Sequence, residues 1–249
     1  MIDLHIHILA GVDDGARSMK ESIGMAREAS NNGVETVVTT PHLIFGAYNN
    51  TPEIINSKVG ELKSVLSEEE IKIEILAGAE VYLAPDLLSK LRKDEVATIN
   101  NNGRYLLLEL PMTEIPRYLN QVIFDLATYG VTSILSHPER NLRVIEDPTF
   151  VFNLVKDQRI VVQLNAGSLL GRYGKKVKET AEFFVKEDLA HILASDYHFP
   201  SKGGYPLSMA VERVAKLANG EVAQALVTTI PSAILEGRVF GGKDLMGLV

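Results

Sequence analysis

Seven short apolar runs, each followed by a stretch with helical spacing, limit the folds open to this chain more than any other feature. The runs fall at residues 2–8, 34–40, 73–79, 105–110, 132–136, 160–165 and 191–195. They are rich in Val, Ile and Leu, and most show no polar alternation, as expected of strands covered on both faces of a parallel sheet. Between them, Ser18 opens a capping-box pattern with Glu21, and Met19, Ile23 and Ala26 form one stripe that ends near Gly33. Thr51-Pro52 places a cap before a proline in a first helical turn. Leu119, Val122, Ile123 and Leu126 share a helical face; so do Val177, Ala181, Phe184 and Val185, and later Ala210, Val214 and Leu217. Such alternation predicts parallel βαβ units, arranged as a closed barrel or an open doubly wound sheet. With no linker rich in Pro, Gly or Ser and no internal repeat, residues 1–249 are expected to form one domain.

Composition removes several functional classes. The chain has no cysteine, which excludes disulfides, zinc–thiolate sites and a cysteine nucleophile together. Net charge is -7 and no Lys/Arg run forms a basic stripe, so no nucleic-acid partner is expected. The start, MIDLHIHI, lacks the charged and apolar regions of a signal peptide, and no stretch approaches the roughly 20 apolar residues of a membrane span. These features predict a cytoplasmic protein with no membrane insertion.

Five of the six histidines (His5, His7, His42, His137 and His198) lie at or just after the end of an expected strand. Asp13 and Asp14 come after the first strand, Glu80 ends the third, Glu109 sits in the fourth and Asp196 ends the last. In parallel α/β folds that is the end where sites are built. Residues two apart on a strand point to one face, so His5 and His7 can share a metal, and Asp196-x-His198 repeats the spacing. Singly, each feature has an ordinary reading: an H-x-H by chance, Glu109 as an ion-pair partner, one of Asp13 and Asp14 as a turn or cap residue. Jointly, eight or nine imidazole and carboxylate ligands on one rim are too many for one ion and suit two or three. Without sulfur, the set fits Mn, Fe, Zn or Mg. His191, inside the last strand, is expected to be structural or partly exposed.

These motifs together resemble a known family. H5-I-H7, TTPH ending in His42, the Glu80 strand end, SHPER with His137, and SDYH with Asp196 and His198 are similar to the PHP phosphoesterases, the polymerase and histidinol phosphatase superfamily. The match runs from residue 1 to about residue 210. Within it, M-I-D-L-H-I-H, V-D-D-G-A-x-S, T-P-H, A-G-A-E-V and L-L-E-L-P most resemble the bacterial tyrosine phosphatases of capsule and exopolysaccharide operons. The resemblance implies an α/β fold, a distorted (β/α)7 TIM-like barrel, with three divalent metal ions, manganese foremost and iron, zinc or magnesium in relatives. One ion would take His5, His7, Glu80 and Asp196; Glu80 would bridge to a second, held also by Glu109 and His137; the third would take Asp14, His42 and His198.

The activity implied by the resemblance is metal-dependent hydrolysis of phosphotyrosine on a cognate bacterial tyrosine kinase, with metal-activated hydroxide attacking phosphorus. Arg140 would orient the phosphate, and Asp14 and His198 would serve at the reacting centre. The ordinary reading of Arg140 is an ion pair with Glu139 or Asp147. The resemblance also implies a second arginine after the last motif, where this chain offers only Lys202. A small monoester such as histidinol phosphate is the alternative substrate. A nuclease, a non-catalytic kinase-binding barrel and a metal amidohydrolase are the remaining readings.

Overall fold

The structure, a computed structural model, describes residues 1–157, 160–199 and 203–238. It is a mixed α/β protein built on parallel strands. A three-stranded sheet has the order β1 (Ile2–Ile6), β2 (Thr36–Thr39), β5 (Glu74–Ala77). A seven-stranded sheet has the order β10 (Ile192–Ala194), β9 (Ile160–Asn165), β8 (Thr132–Ser136), β7 (Tyr105–Glu109), β6 (Glu80–Tyr82), β3 (His42–Ile44), β4 (Tyr48–Asn49). All pairings are parallel except the β3–β4 hairpin. Every residue of β7, β8 and β9 is buried, which explains their unbroken apolar reading.

Ten strands rather than seven occupy the described residues because two expected strands bend and change sheets and the hairpin strand β4 is added. The run expected at 34–40 leaves the smaller sheet after Thr39, passes Pro41, and continues as β3 in the larger one. Proline has no N–H for a ladder, so the break falls where sequence makes it cheap. The run expected at 73–79 stops at Ala77 and resumes at Glu80. There a Cβ on Gly78 would stand 2.8 Å from Val38 Cγ1, so only glycine lets the bending chains approach. Glu80 therefore opens β6 instead of ending the third strand. At the other side, Ile6 bridges to Tyr197, the Asp196 N–H donates to the His5 carbonyl (2.8 Å) and the His7 N–H to the Tyr197 carbonyl (3.2 Å). First and last strands thus meet, although far apart in sequence.

The helices obey their caps. Ser18 Oγ accepts from the Glu21 N–H (3.3 Å), but the Glu21 carboxylate turns to the Arg17 N–H instead of closing the capping box. Thr51 caps the helix Pro52–Glu68 as expected. The faces at 119–126 and 177–185 are buried, the first against β8 and the second among neighbouring helices. His191 lies one residue before β10 and is fully buried, its Nδ1 accepting from the Val162 N–H (3.0 Å), so it is structural. Among the described residues no helix is long and apolar enough to cross a membrane.

Candidate metal centre

The nine residues singled out in the sequence converge on one place, at the ends of β1, β7, β8 and β10 and at the bends where β2 and β5 pass into β3 and β6. His5 sits in β1 and His7 just past it; His42 opens β3, Glu80 opens β6, Glu109 ends β7, His137 comes after β8, and Asp196 and His198 come after β10. His5 Nε2 lies 3.1 Å from His7 Nε2, 3.3 Å from Glu80 Oε2 and 3.4 Å from Asp196 Oδ1. His42 Nδ1 lies 3.1 Å from Glu80 Oε2 and 3.6 Å from Glu109 Oε2. At the mouth, Asp14 Oδ1 stands 3.5 Å from His42 Nε2 and 3.3 Å from His198 Nε2.

Those spacings suit cation ligands. Two donors each about 2.1 Å from one ion lie roughly 3.0–3.4 Å apart. The tautomers point the same way. His5 Nδ1 faces the amide oxygen of Gln163 (3.1 Å) and His7 Nδ1 faces Asp13 Oδ2 (2.7 Å). Both acceptors hold the proton on Nδ1 and turn the Nε2 lone pairs toward each other, an arrangement that calls for a positive charge in the cleft. Glu80 Oε2 and His42 Nδ1 are buried and, although 3.1 Å apart, make no well-aligned hydrogen bond among the described residues, which is costly unless a cation completes them. The donor set therefore fits divalent metal.

Protons compete for the same lone pairs. Burial opposes charge on His5, but Glu80 and Asp196 outweigh it and raise its pKa to about 9. His7 is likewise raised, against burial, mainly by Asp13. Burial would raise Glu80 and Asp196, yet the surrounding imidazoles hold both well below the carboxylate range. Glu109 goes up, through burial and the Glu80 charge. The His198 hydrogen bond lowers Asp14 to about 2.

Four groups of donors could each hold an ion: His7, Asp14, His42 and His198; His5, His137 and Asp196; His5, His7 and Glu80; and His42, Glu80 and Glu109. Here His137 falls with His5 and Asp196 rather than with Glu109, although its Nε2 also lies 2.9 Å from Glu80 Oε1. The pair at 13 and 14 divides its work. Asp14 faces the mouth, while Asp13 is buried, orienting His7 and accepting from the Gly15 and His42 N–H groups (3.0 Å each). Arg140 pairs with neither Glu139 nor Asp147; its Nη1 donates to Asp196 Oδ2 (2.8 Å). Lys202 lies outside the described residues.

Spacing missed the residues beneath the site. Asp3 Oδ1 accepts from the Ser195 N–H (3.0 Å) and the His5 N–H (3.2 Å), and its Oδ2 accepts from Tyr205. It ties β1 to the segment carrying Asp196. Asn165 Nδ2 donates to Asp196 Oδ2 (2.6 Å), and Ser136 donates to Glu80. The available signal was polarity: Asp3 shares the His5 face, and Gln163 and Asn165 interrupt an apolar strand.

Fold and site together define a parallel α/β protein whose strand ends carry a candidate centre for divalent cations. Residues 1–236 match the CpsB/CapC family of capsular polysaccharide synthesis, and the chain belongs to that family. It is 36% identical over 198 residues to the tyrosine-protein phosphatase YwqE of Bacillus subtilis, covering 80% of this chain and 77% of that protein. With the tyrosine-protein phosphatase CpsB of Streptococcus pneumoniae it shares 31% identity over 241 residues, 94% of this chain and 98% of the relative. A crystal structure from work on those two proteins, described as unique metal-dependent tyrosine phosphatases, superposes with a TM-score of 0.91 at 32% identity, covering 96% of both chains. A dihydroorotase from Saccharomyces cerevisiae superposes with a TM-score of 0.50 at 16% identity, a likeness of fold alone.

Proposed function

We propose that this chain is a metal-dependent tyrosine-protein phosphatase of capsule or exopolysaccharide synthesis, acting on phosphotyrosine of a cognate bacterial tyrosine kinase in the cytoplasm. The observation that carries this reading is the convergence of His5, His7, Glu80 and Asp196 on one buried cleft, the two Nε2 atoms 3.1 Å apart and each 3.3–3.5 Å from Glu80 Oε2 and Asp196 Oδ1. The names of the relatives supply the substrate class. We read the nine donors as ligands of three divalent ions, manganese foremost. We read the two sheets as one distorted seven-stranded barrel in a single domain, a reading supported by the bends at Pro41 and Gly78 and by the Ile6–Tyr197 bridge.

Cations bound there supply positive charge against the phosphoryl oxygens and acidify water. The chain's own residues do the rest. His5 and His7 present Nε2 because Gln163 and Asp13 hold Nδ1. Arg140 offers a planar fork to the phosphate. Asp14, with a pKa of about 2, stays a carboxylate and cannot act as an acid; beside His198 it keeps a negative charge at the mouth of the centre. A phenolate leaving group, with a pKa near 10, needs little acid assistance.

Metal-loaded protein is expected to turn over p-nitrophenyl phosphate and a phosphotyrosine peptide, and the peptide faster than histidinol phosphate. No turnover with manganese, iron, zinc, cobalt or magnesium overturns the reading. Histidinol phosphate as the better substrate moves the assignment to small monoesters.

A further inference from the structure

Arg140 is held on two sides. Nη1 binds Asp196 Oδ2 at 2.8 Å, and the guanidinium carbon lies 4.3 Å from the centre of the Tyr173 ring. Its side chain is only 22% exposed, yet Nε and Nη2 make no hydrogen bond among the described residues. The ring belongs to a short loop after the helical turn Ala166–Leu169 and is 41% exposed, at the rim of the metal centre. Its ring lies beside the Asn165 side chain, which itself donates to Asp196 Oδ2 (2.6 Å). Asp196, Asn165, Tyr173 and Arg140 therefore close a ring of contacts. The loop reaches this place because residue 167 is glycine: a Cβ there would stand 3.0 Å from Tyr173 Cε2 and 3.0 Å from Asn165 Oδ1.

We infer that Tyr173 is a positioning residue: its ring clamps the Arg140 guanidinium against Asp196, so that the free Nε–Nη2 edge is presented to the phosphate of the substrate. This inference rests on the phosphatase reading above. An unrestrained arginine loses rotamer freedom each time it binds an anion. Pinned by an ion pair and an aromatic face, it has lost that freedom in advance, and a stacked, partly desolvated guanidinium gains cation–π energy as well. Tyr173 itself touches no donor of the four metal groups, so it acts on phosphate affinity and leaves metal content alone. Burial and the Asp196 charge raise its pKa, which keeps the ring a neutral phenol beside the cation.

The test compares Tyr173→Leu, which keeps bulk and removes the aromatic face, with Tyr173→Phe, which keeps the face and removes the hydroxyl. Inorganic phosphate is titrated calorimetrically into manganese-loaded protein, and KM and kcat are measured with p-nitrophenyl phosphate. Tyr173→Leu is expected to weaken phosphate binding and raise KM by about tenfold, equivalent to 1.4 kcal/mol, with kcat changed less and bound metal unchanged. Tyr173→Phe is expected to stay within about threefold of wild type, the remaining loss measuring the hydroxyl. Wild-type phosphate affinity in Tyr173→Leu overturns the clamp while leaving the phosphatase reading intact, as does a loss of bound metal that accounts for the whole effect. A wild-type protein that neither binds phosphate nor turns over substrate overturns both.

Discussion

The two ends of the strands share left-handed glycines but, among the described residues, only one of them also puts buried side chains into that backbone region. Where strands begin, left-handed backbone is carried by glycines and by exposed polar residues in turns: Gly33, Gly103 and Gly130, with Glu70 and Asp188 after helices. Where strands end, His137 (φ 29°) and Asp196 (φ 48°) take the same backbone region as buried residues with functional side chains. Glycine would be easier at both places. Strain kept at such residues marks a site whose side chains are needed, and the surrounding fold sustains it. One end is shaped for the chain's own stability and the other for what it binds.

Removing one charge at the exit end is the strongest way to test that division. Glu80 lies within 3.5 Å of nitrogens from His5, His7, His42 and His137. Glu80→Gln is expected to lower turnover of an aryl phosphate on the order of 10³-fold, as the loss of a preorganised charge does. Bound metal, measured by elemental analysis, should fall with it. The melting temperature should drop mainly in the presence of metal, since only the ligand-linked share of stability is lost. Full activity in this variant would show that the exit end is not a metal centre.

Much of this contrast was legible in the sequence, because strand ends can be located from apolar runs and the side-chain period is two. That sufficed to place His5, His7, Glu109, His137 and Asp196 on one rim. The bends were not legible. Glu80 looks like the end of a strand, but the approach of Val38 to Gly78 breaks the run and restarts it as β6. Asp13 and Asp14 are adjacent and chemically identical; only packing decides that one orients His7 from a buried position and the other faces the mouth. The partners Gln163, Asn165 and Tyr173 come from chain segments more than a hundred residues away from His5, and no spacing rule links them.

Protonation separates the two ends next. His5 has its folded pKa raised from 6.5 to about 9. In metal-free protein its contribution to stability is full below about pH 6.5 and is lost as pH rises through about 9. The metal-free melting temperature should therefore decline across that window. Metal binding runs the other way: the imidazoles must give up protons, so affinity should rise from pH 6.5 to about 9 with measurable proton release. Calorimetric titration of manganese in two buffers of different ionisation enthalpy measures that release. Binding with no proton release, and no pH dependence over this range, would contradict the charge pattern assigned to the cleft.

The smallest effect is expected at the other end. Glu70 comes after the helix Pro52–Glu68 and its cap Glu69, is exposed, and has φ 54°. That is the position where helices commonly end on glycine, because a Cβ there crowds the backbone. Glu70→Gly relieves that crowding but gives the unfolded chain more freedom, so the gain is the difference between two opposing contributions. A net stabilisation of about 0.5–1 kcal/mol is expected, seen as a small rise in the denaturant midpoint at unchanged slope. Metal content and turnover should not move, because Glu70 belongs to none of the donor groups. The equivalent relief at Asp196 would remove a side chain that faces His5 and His7. Two left-handed residues, released in the same way, should thus give opposite outcomes: a slightly firmer protein in one case, an inactive one in the other.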